Sequence, residues 1–253
     1  MTNLVPTQRR APRRVHPAAP RPSVLAVRLG LSGIVLSALS MTLLTVLAWG
    51  RMNPVDTTMS DYVFVPGVGW LFGAALLCMF AAGLGAMAGL AAIRLLGKGL
   101  LPVALGLAAA GSLLAALFRT DLGESLSTSA LIHRYAAGVV FFCVPIAAFL
   151  LARSLTGVGY LAGDRKLLYA SVIVTSVVLT LFMTSHFGTM PEALRELNGL
   201  FQRVLFVVEL TLLAQIVVLP LRFRAPAVLS TQVTVPVAAS RRTDPIPAAR
   251  TPR

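Results

Sequence analysis

Six apolar stretches, each about 20 residues long, dominate this chain and limit what it can fold into. A helix needs roughly 20 apolar residues to cross the hydrocarbon core of a bilayer. Charged residues, glycines or prolines separate each stretch from the next. The stretches are Leu25–Trp49, Val68–Ile93, Leu100–Phe118, Leu131–Ala152, Leu167–Phe187 and Leu200–Leu221. We therefore predict an all-α fold, a six-helix transmembrane bundle over residues 25–221.

The composition supports a membrane protein and excludes several other classes. Hydrophobic residues make up 57% of the chain and charged residues only 12%, with a mean hydropathy of +0.82. This balance argues against a soluble enzyme, a coiled coil and an intrinsically disordered chain. Cys78 and Cys143 both fall inside apolar stretches, so no disulfide framework and no CxxC motif is expected.

The basic residues lie mainly on one side of the predicted bundle. Of the 22 lysines and arginines, 17 fall in the two tails, at Arg28 at the start of the first stretch, and in the loops after the second and fourth stretches, together with two acids. The opposite side has five basic residues and seven acids. Because positively charged segments resist translocation, we predict a multi-pass protein of the plasma membrane with both termini in the cytoplasm.

The tails, residues 1–24 and 222–253, are rich in Pro, Ala, Arg and Thr and lack hydrophobic periodicity. We predict that both are disordered cytoplasmic segments. Their arginines are expected to meet anionic lipids of the bilayer, and no specific nucleic-acid partner is predicted.

Small residues and aromatic residues give further expectations about packing. Ala81, Gly85 and Gly89 recur every four residues, as do Gly106 and Ala110 on the next helix, which predicts close helix contacts. Aromatic residues at the predicted outer ends of the spans should sit at the bilayer interface. They are Trp49, Tyr62, Trp70 and Tyr135.

Ionisable side chains within or next to the spans share the predicted outer side. Such groups are costly in a membrane and are functional candidates by default. If the spans form one bundle, they should converge on an outward-facing polar pocket. The candidate ligand-binding residues are Asp56, Asp61, Arg119, Asp121, His133, Arg134, His186, Arg203 and Glu209.

Glu209 is the most informative of these positions. It lies roughly 13 Å into the membrane when counted from Leu200 at about 1.5 Å per residue. We expect it either in an internal salt bridge, with Arg134 or Arg203 as the partner, or as a protonated carboxyl. Gln202, seven residues earlier on the same helix face, would extend the polar stripe.

His133 and His186 are expected to act as ordinary hydrogen-bonding residues, and no cofactor is predicted. They are weak metal candidates, because a third ligand from Asp121, Asp56 or Glu209 would complete a catalytic zinc site. That alternative would make the protein a metal-dependent membrane hydrolase. Neither histidine belongs to an HExxH motif, and the chain has no G-x-S-x-G motif.

A small-solute transporter is the other alternative. It would need a polar path that continues to the cytoplasmic side, and the sequence has no inverted pair of broken spans. The inner halves of the spans carry only scattered polar residues. They are Ser171, Thr175, Ser176 and Gln215.

Four segments resemble the domain of unknown function 998 family of bacterial and archaeal polytopic membrane proteins. They are NPVDTTMSDYVFVPGVGW, LFRTDLGE, LIHRYAAGVVFFCVPIA and NGLFQRVLFVVEL, and the resemblance covers residues 28–221. It implies a six-helix membrane domain without an assigned activity. The function we expect is recognition of a lipid headgroup, a small molecule or a membrane protein partner at the outer pocket, and catalysis is not the expected activity.

Overall fold

The computed structural model describes residues 23–122 and 127–223, and these residues form helices and connecting turns without a strand. The helices are α1 (Val24–Leu47), α2 (Trp70–Ala92), α3 (Leu100–Leu117), α4 (Thr128–Ser154), α5 (Ala162–His186), the single turn α6 (Glu192–Arg195) and α7 (Asn198–Arg222). Short 3-10 turns cover Met59–Phe64 and Gly159–Leu161. All but α6 are long and apolar enough to span a membrane, which confirms the predicted all-α six-helix bundle. The predicted disorder of the tails concerns residues that lie almost entirely outside the described part of the chain.

Two helices begin three or more residues earlier than the apolar pattern predicts. α4 begins at Thr128 because the Ser127 side chain accepts a hydrogen bond from the backbone nitrogen of Ala130. α5 begins at Ala162, before the polar run that includes Asp164. An acidic residue is favourable in the first turn of a helix, so the helix extends beyond its apolar part.

The last long helix, α7, lies at the centre of the bundle. Helices adjacent in the chain pack side by side from α1 to α5, and α7 contacts α1, α2, α4 and α5. Leu205, Leu212 and Ile216 of α7 are completely buried. We call the end of the bundle that carries residues 48–69 the loop face, and the end where α1 begins and α7 ends the terminal face.

The predicted close contact through Gly85 is confirmed. A Cβ atom on Gly85 would lie 2.5 Å from the backbone nitrogen of Gly30 and 2.7 Å from the carbonyl oxygen of Ala26. A Cβ atom on Gly89 would lie 3.2 Å from Cγ of Pro220 in α7. The α2 glycines therefore bring α1 and α7 close to the α2 backbone.

The same prediction is wrong for α3. A Cβ atom on Gly106 would meet no atom within 4 Å, and Ala110 is exposed. The close contact of α3 is made instead by Gly111, whose Cβ atom would lie 2.7 Å from the carbonyl oxygen of Ala136 in α4. Four-residue spacing identifies a helix face of small residues but does not show whether another helix covers it.

The aromatic residues behave as predicted at three of the four positions. Trp49, Trp70 and Tyr135 are exposed at the loop-face ends of their helices, as expected for side chains at a bilayer interface. Tyr62 differs, because it is only 1% exposed and packs in a cluster with Leu44 and Phe72. The 3-10 turn Met59–Phe64 folds this ring into the bundle.

Candidate functional site

The loop between α1 and α2 is fastened to the first turns of α7. The backbone nitrogen of Leu200 donates a hydrogen bond to the Val55 carbonyl oxygen at 2.9 Å. The backbone nitrogen of Met59 donates to Oε1 of Gln202 at 2.6 Å. The first turns of a helix have free N–H groups, and the loop carbonyl satisfies one of them.

Gly199 permits this close approach. A Cβ atom at this position would lie 2.4 Å from the Thr57 carbonyl oxygen and 2.9 Å from the carbonyl oxygens of Pro54 and Val55. All three contacts are with backbone atoms, which cannot rotate away as a flexible side chain would. The loop therefore packs on α7 at a point where only glycine fits.

Arg203 of α7 also contacts this loop, through hydrogen bonds and an aromatic ring. Its Nη1 donates hydrogen bonds to the carbonyl oxygens of Thr57 and Gly199, both at 2.9 Å. Its guanidinium carbon lies 5.1 Å from the ring centroid of Tyr62, a cation–π distance. Nε and Nη2 of Arg203 are buried and have no hydrogen-bond partner among the described residues.

The two loop aspartates organise the loop itself. Asp56 accepts hydrogen bonds from the Asn53 side-chain amide at 3.0 Å and from the Thr57 hydroxyl at 2.8 Å. Asp61 accepts one from the Thr58 hydroxyl at 2.7 Å. These short-range bonds fix the loop conformation that reaches α7.

His133 joins α4 to the end of α3. Its Nδ1 lies 2.9 Å from the carbonyl oxygens of both Ala115 and Phe118, and the side chain is buried. Because carbonyl oxygens only accept, Nδ1 carries the proton in this arrangement.

Asp121 and Ser127 form a second connection on the loop face. The Ser127 backbone nitrogen donates to Oδ2 of Asp121 at 2.6 Å. Hydrogen bonds from the Ser127 backbone N–H and hydroxyl lower the pKa of Asp121 below its ordinary value. The Ser129 hydroxyl donates to the carbonyl oxygen of Arg119 at 2.9 Å, whereas the Arg119 side chain is exposed. Both bonds position the start of α4.

His186 lies at the end of α5 among aromatic rings. Its ring centroid is 5.5 Å from that of Phe182 and 5.4 Å from that of Phe187. The charges that act on it are those of Arg134 and Asp61. Arg134 and Asp61 are thus each within electrostatic reach of His186 near the loop face.

A central cavity of about 50 Å³ lies in the loop-face half of the bundle. Most of its wall is apolar, and its polar lining comes from Ser60, His133 and Gln202. Ser60 belongs to the Met59–Phe64 turn, which covers the cavity on the loop side. Such a space is large enough for water, and its polar groups can bind water.

A larger groove of about 570 Å³, the α1–α7 groove, runs between the exposed sides of α1 and α7. It extends from Trp49 and Arg203 near the loop face to Ile34 and Ala214 near mid-helix. The groove and the central cavity share three lining residues. They are Met41, Met59 and Phe206. These side chains are therefore the partition between the two spaces.

Glu209 does not have the partner that the sequence analysis proposes. The residue is 1% exposed, and neither carboxyl oxygen has a hydrogen-bond partner in the described part of the chain. Arg203 is engaged with the loop, and Arg134 is exposed at the loop face. The salt bridge is therefore wrong, and the protonated carboxyl is the remaining alternative.

Two of the predicted residues line the spaces described above, and they line different ones. Of the nine candidates, His133 lines the central cavity and Arg203 lines the groove. Within residues 23–122 and 127–223, no group of three or more His, Cys, Asp and Glu side chains could hold a metal ion. The zinc hydrolase alternative therefore lacks a ligand set in these residues.

In the terminal half, two pairs of polar side chains are joined by a hydrogen bond or an ion pair, and one buried hydroxyl is not paired with any described residue. Nε2 of Gln215 donates to the Ser171 hydroxyl at 2.8 Å, which links α7 to α5. Arg222 and Asp164 form an ion pair at the terminal face. Thr175 is completely buried, and its hydroxyl has no partner among the described residues.

The family model described as "Protein of unknown function (DUF998)" matches residues 32–219. The chain belongs to this family. The DUF998 match takes in the loop, the central cavity, the α1–α7 groove and Glu209. The chain matches none of the curated proteins and none of the solved structures with which it was compared.

Several residues of the site have no signal in the sequence that marks them as functional. Met41, Met59 and Phe206 are apolar side chains in or beside apolar spans, where such residues are expected everywhere. Tyr62 was expected at the bilayer surface, and its role beneath Arg203 depends on how the loop folds. Gln202, by contrast, is marked in the sequence by its position on the helix face of Glu209.

Proposed function

We propose that this integral membrane protein binds a lipid with an anionic headgroup in the α1–α7 groove, on the outer leaflet of the bacterial plasma membrane. The observation that carries the proposal is the state of Arg203. This cation lines the groove near the loop face, and apart from the neighbouring Tyr62 side chain its buried Nε and Nη2 atoms have no acceptor in the described residues. A buried donor without an acceptor is costly, and a phosphate or carboxylate oxygen is the acceptor that a guanidinium binds best.

The dimensions of the groove suit the rest of a lipid. From Arg203 to Ala214 the groove follows α7 for about 16 Å at 1.5 Å per residue, which is roughly half of a bilayer's hydrocarbon core. Its walls are mainly apolar. Trp49, 73% exposed, lies at its loop-face end, where an indole ring favours the headgroup level. An acyl chain in the groove would place its headgroup beside Arg203.

The choice of leaflet depends on the predicted topology. The loop face carries the side of the chain that is poor in lysine and arginine, so the charge distribution assigns it to the outer surface. Both termini would then be cytoplasmic. A lipid in the groove would come from the outer leaflet.

Native mass spectrometry of the purified protein tests the proposal. The protein is released from bilayers that contain equal amounts of phosphatidylglycerol and phosphatidylethanolamine, and the retained lipids are counted. We expect preferential retention of the anionic lipid by the native chain and loss of that preference in Arg203→Gln. The matched control is Arg51→Gln, an exposed arginine of the same loop.

A second pair of variants separates lipid binding from loop stability. Ala214→Phe fills the groove at the end far from Arg203, and Ala110→Phe places the same side chain on an exposed face of α3. Retention should fall in the first variant and stay unchanged in the second. Equal retention of both lipids by the native protein, or a preference that survives Arg203→Gln, contradicts the proposal.

A further inference from the structure

Glu209 is a buried carboxyl in the middle of a membrane-spanning helix. It lies eleven residues after the start of α7, about 16 Å along the helix axis at 1.5 Å per residue, and thirteen residues before its end. The side chain is 1% exposed, and both carboxyl oxygens lack a hydrogen-bond partner in the described part of the chain. Membrane-buried acids of this kind are rare and mark sites of ion or proton binding.

The surroundings of Glu209 favour a proton over a metal ion. Calcium and magnesium ions are bound by six or more oxygen ligands, with carboxylates among them. No group of three or more His, Cys, Asp and Glu residues meets at Glu209 or elsewhere in the described residues. A proton, in contrast to a metal ion, binds to a single carboxylate oxygen.

The floor of the central cavity lies close to this carboxyl. Phe206 lines the cavity and precedes Glu209 by three residues, which is less than one turn of α7. On α4, Val140 lines the cavity and Cys143 lies three residues further, within electrostatic reach of the Glu209 carboxyl. The cavity therefore ends within about one helical turn, 5.4 Å, of the Glu209 level.

The side of Glu209 that faces away from the cavity is closed by apolar packing. Leu212, Leu213 and Ile216 follow Glu209 on α7 and are each at most 3% exposed. The cavity, by contrast, has polar groups that can bind water, among them Gln202 and the ring of His133. The shorter route for a proton leads towards the loop face.

We propose that Glu209 is a proton-binding site that exchanges its proton with water in the central cavity. The carboxyl releases H⁺ to a cavity water and becomes a carboxylate, and it is protonated again by a hydronium ion from the same space. No other reactant is consumed. This site is separate from the lipid proposed in the α1–α7 groove, and its test does not depend on that lipid.

The helices packed against α7 bring few titratable groups to this level. α4 brings the thiol of Cys143, and α2 carries the thiol of Cys78. The other titratable residues of α1, α4 and α5 lie in turns near the helix ends. They are Arg28, His133, Arg134, Tyr135, Arg153, Asp164, Arg165, Lys166, Tyr169 and His186. From the loop, Asp61 and Tyr62 lie above the cavity.

Infrared spectroscopy of the reconstituted protein tests the protonation directly. A neutral carboxyl has a C=O stretching band distinct from that of a carboxylate, and the band shifts when its proton is replaced by deuterium. We expect such a band at neutral pH, its loss in Glu209→Gln, and its retention in Glu196→Gln, which changes an exposed carboxylate on the loop face. Transfer to D₂O should shift the band.

The exchange route is tested by filling the cavity. Ala137→Leu adds bulk to a lining residue, and Ala110→Leu adds the same bulk on an exposed face of α3. The deuterium shift should be slower in the first variant only. An equal rate in both variants overturns the route through the cavity. A band that never shifts in D₂O, or one that persists in Glu209→Gln, overturns the proton-binding site.

A chemical probe keeps the proposal testable if Glu209→Gln fails to fold. Dicyclohexylcarbodiimide is an apolar reagent that enters membranes and modifies protonated carboxyls. Mass spectrometry of the labelled native protein should find the adduct on the α7 peptide, with labelling lost as pH rises. Labelling that does not depend on pH, or that is absent from this peptide, contradicts the proposal.

Discussion

Oε1 of Gln202 lies 2.6 Å from the backbone nitrogen of Met59, and this contact joins the loop to the helix that lies at the centre of the bundle. Both residues line spaces inside the protein, because Met59 borders the groove and the cavity and Gln202 borders the cavity. The bond therefore sets the position of the cavity cover as well as that of the loop.

Replacing Gln202 by leucine should loosen this cover. The substitution leaves the Met59 N–H without its acceptor, which we expect to lower the free energy of unfolding by about 1–3 kcal/mol. Thermal unfolding and limited proteolysis of residues 53–59 measure the effect. Thr211→Val is the control, since the Thr211 hydroxyl bonds only to the Val207 carbonyl of its own helix. Unchanged proteolysis in Gln202→Leu contradicts the role of this bond.

Gly199→Ala should be destabilising, although alanine favours helices. Its Cβ atom would lie 2.4 Å from the Thr57 carbonyl oxygen, so the loop must move, and overpacking of this kind costs about 1–3 kcal/mol. Gly138→Ala is the matched control because its Cβ atom would meet no atom within 4 Å. We expect a lower unfolding temperature for the first variant and no loss for the second. Equal unfolding temperatures would show that the loop does not pack on α7 as described.

Asp121 should make the start of α4 sensitive to acid. Its pKa is lowered in the folded protein by hydrogen bonds from Ser127, so the folded state favours the carboxylate. The resulting stabilisation is complete above the ordinary pKa near 3.8 and is lost as pH falls through the lower pKa of the folded protein. Asp121→Asn should therefore reduce stability at neutral pH, and its difference from the native protein should shrink in acid. Unfolding temperatures over a pH series measure both, and a difference that stays constant in acid rejects the assignment.

The predicted topology can be checked with reporter domains fused after residues 96, 124, 160 and 195. Reporters at 96 and 160 should be active in the cytoplasm, and those at 124 and 195 should be active outside it. A cytoplasmic signal at 124 would reverse the orientation. It would also move the proposed lipid site to the inner leaflet.

The sequence predicted the six helices because hydrocarbon leaves the backbone few alternatives. Every polar backbone group in a span must be satisfied internally, so each long apolar stretch becomes a helix. The boundaries were less certain, because helices such as α5 continue into polar residues where the membrane ends. Family membership also followed from the sequence, through the segments quoted for the resemblance.

The candidate site was predictable only in part, since it depends on which helix faces meet. Arg203 and Glu209 are six residues apart on α7, so their side chains project in directions about 120° apart around the helix. That difference explains why the Arg203 side chain contacts the loop and the Glu209 carboxyl has no hydrogen-bond partner among the described residues. His133 is hydrogen-bonded to the carbonyl oxygens of Ala115 and Phe118. The sequence does not predict such contacts, because every residue has a backbone carbonyl.

The central position of α7 sets the order in which the protein can be completed during synthesis. Four helices that precede α7 in the chain contact it. Until residues 198–222 have left the ribosome, those four helices lack the helix that packs against them. The loop likewise lacks the α7 residues to which it is hydrogen-bonded. The nascent chain must therefore pass through an intermediate in the bilayer in which the central cavity and the α1–α7 groove still lack their α7 walls.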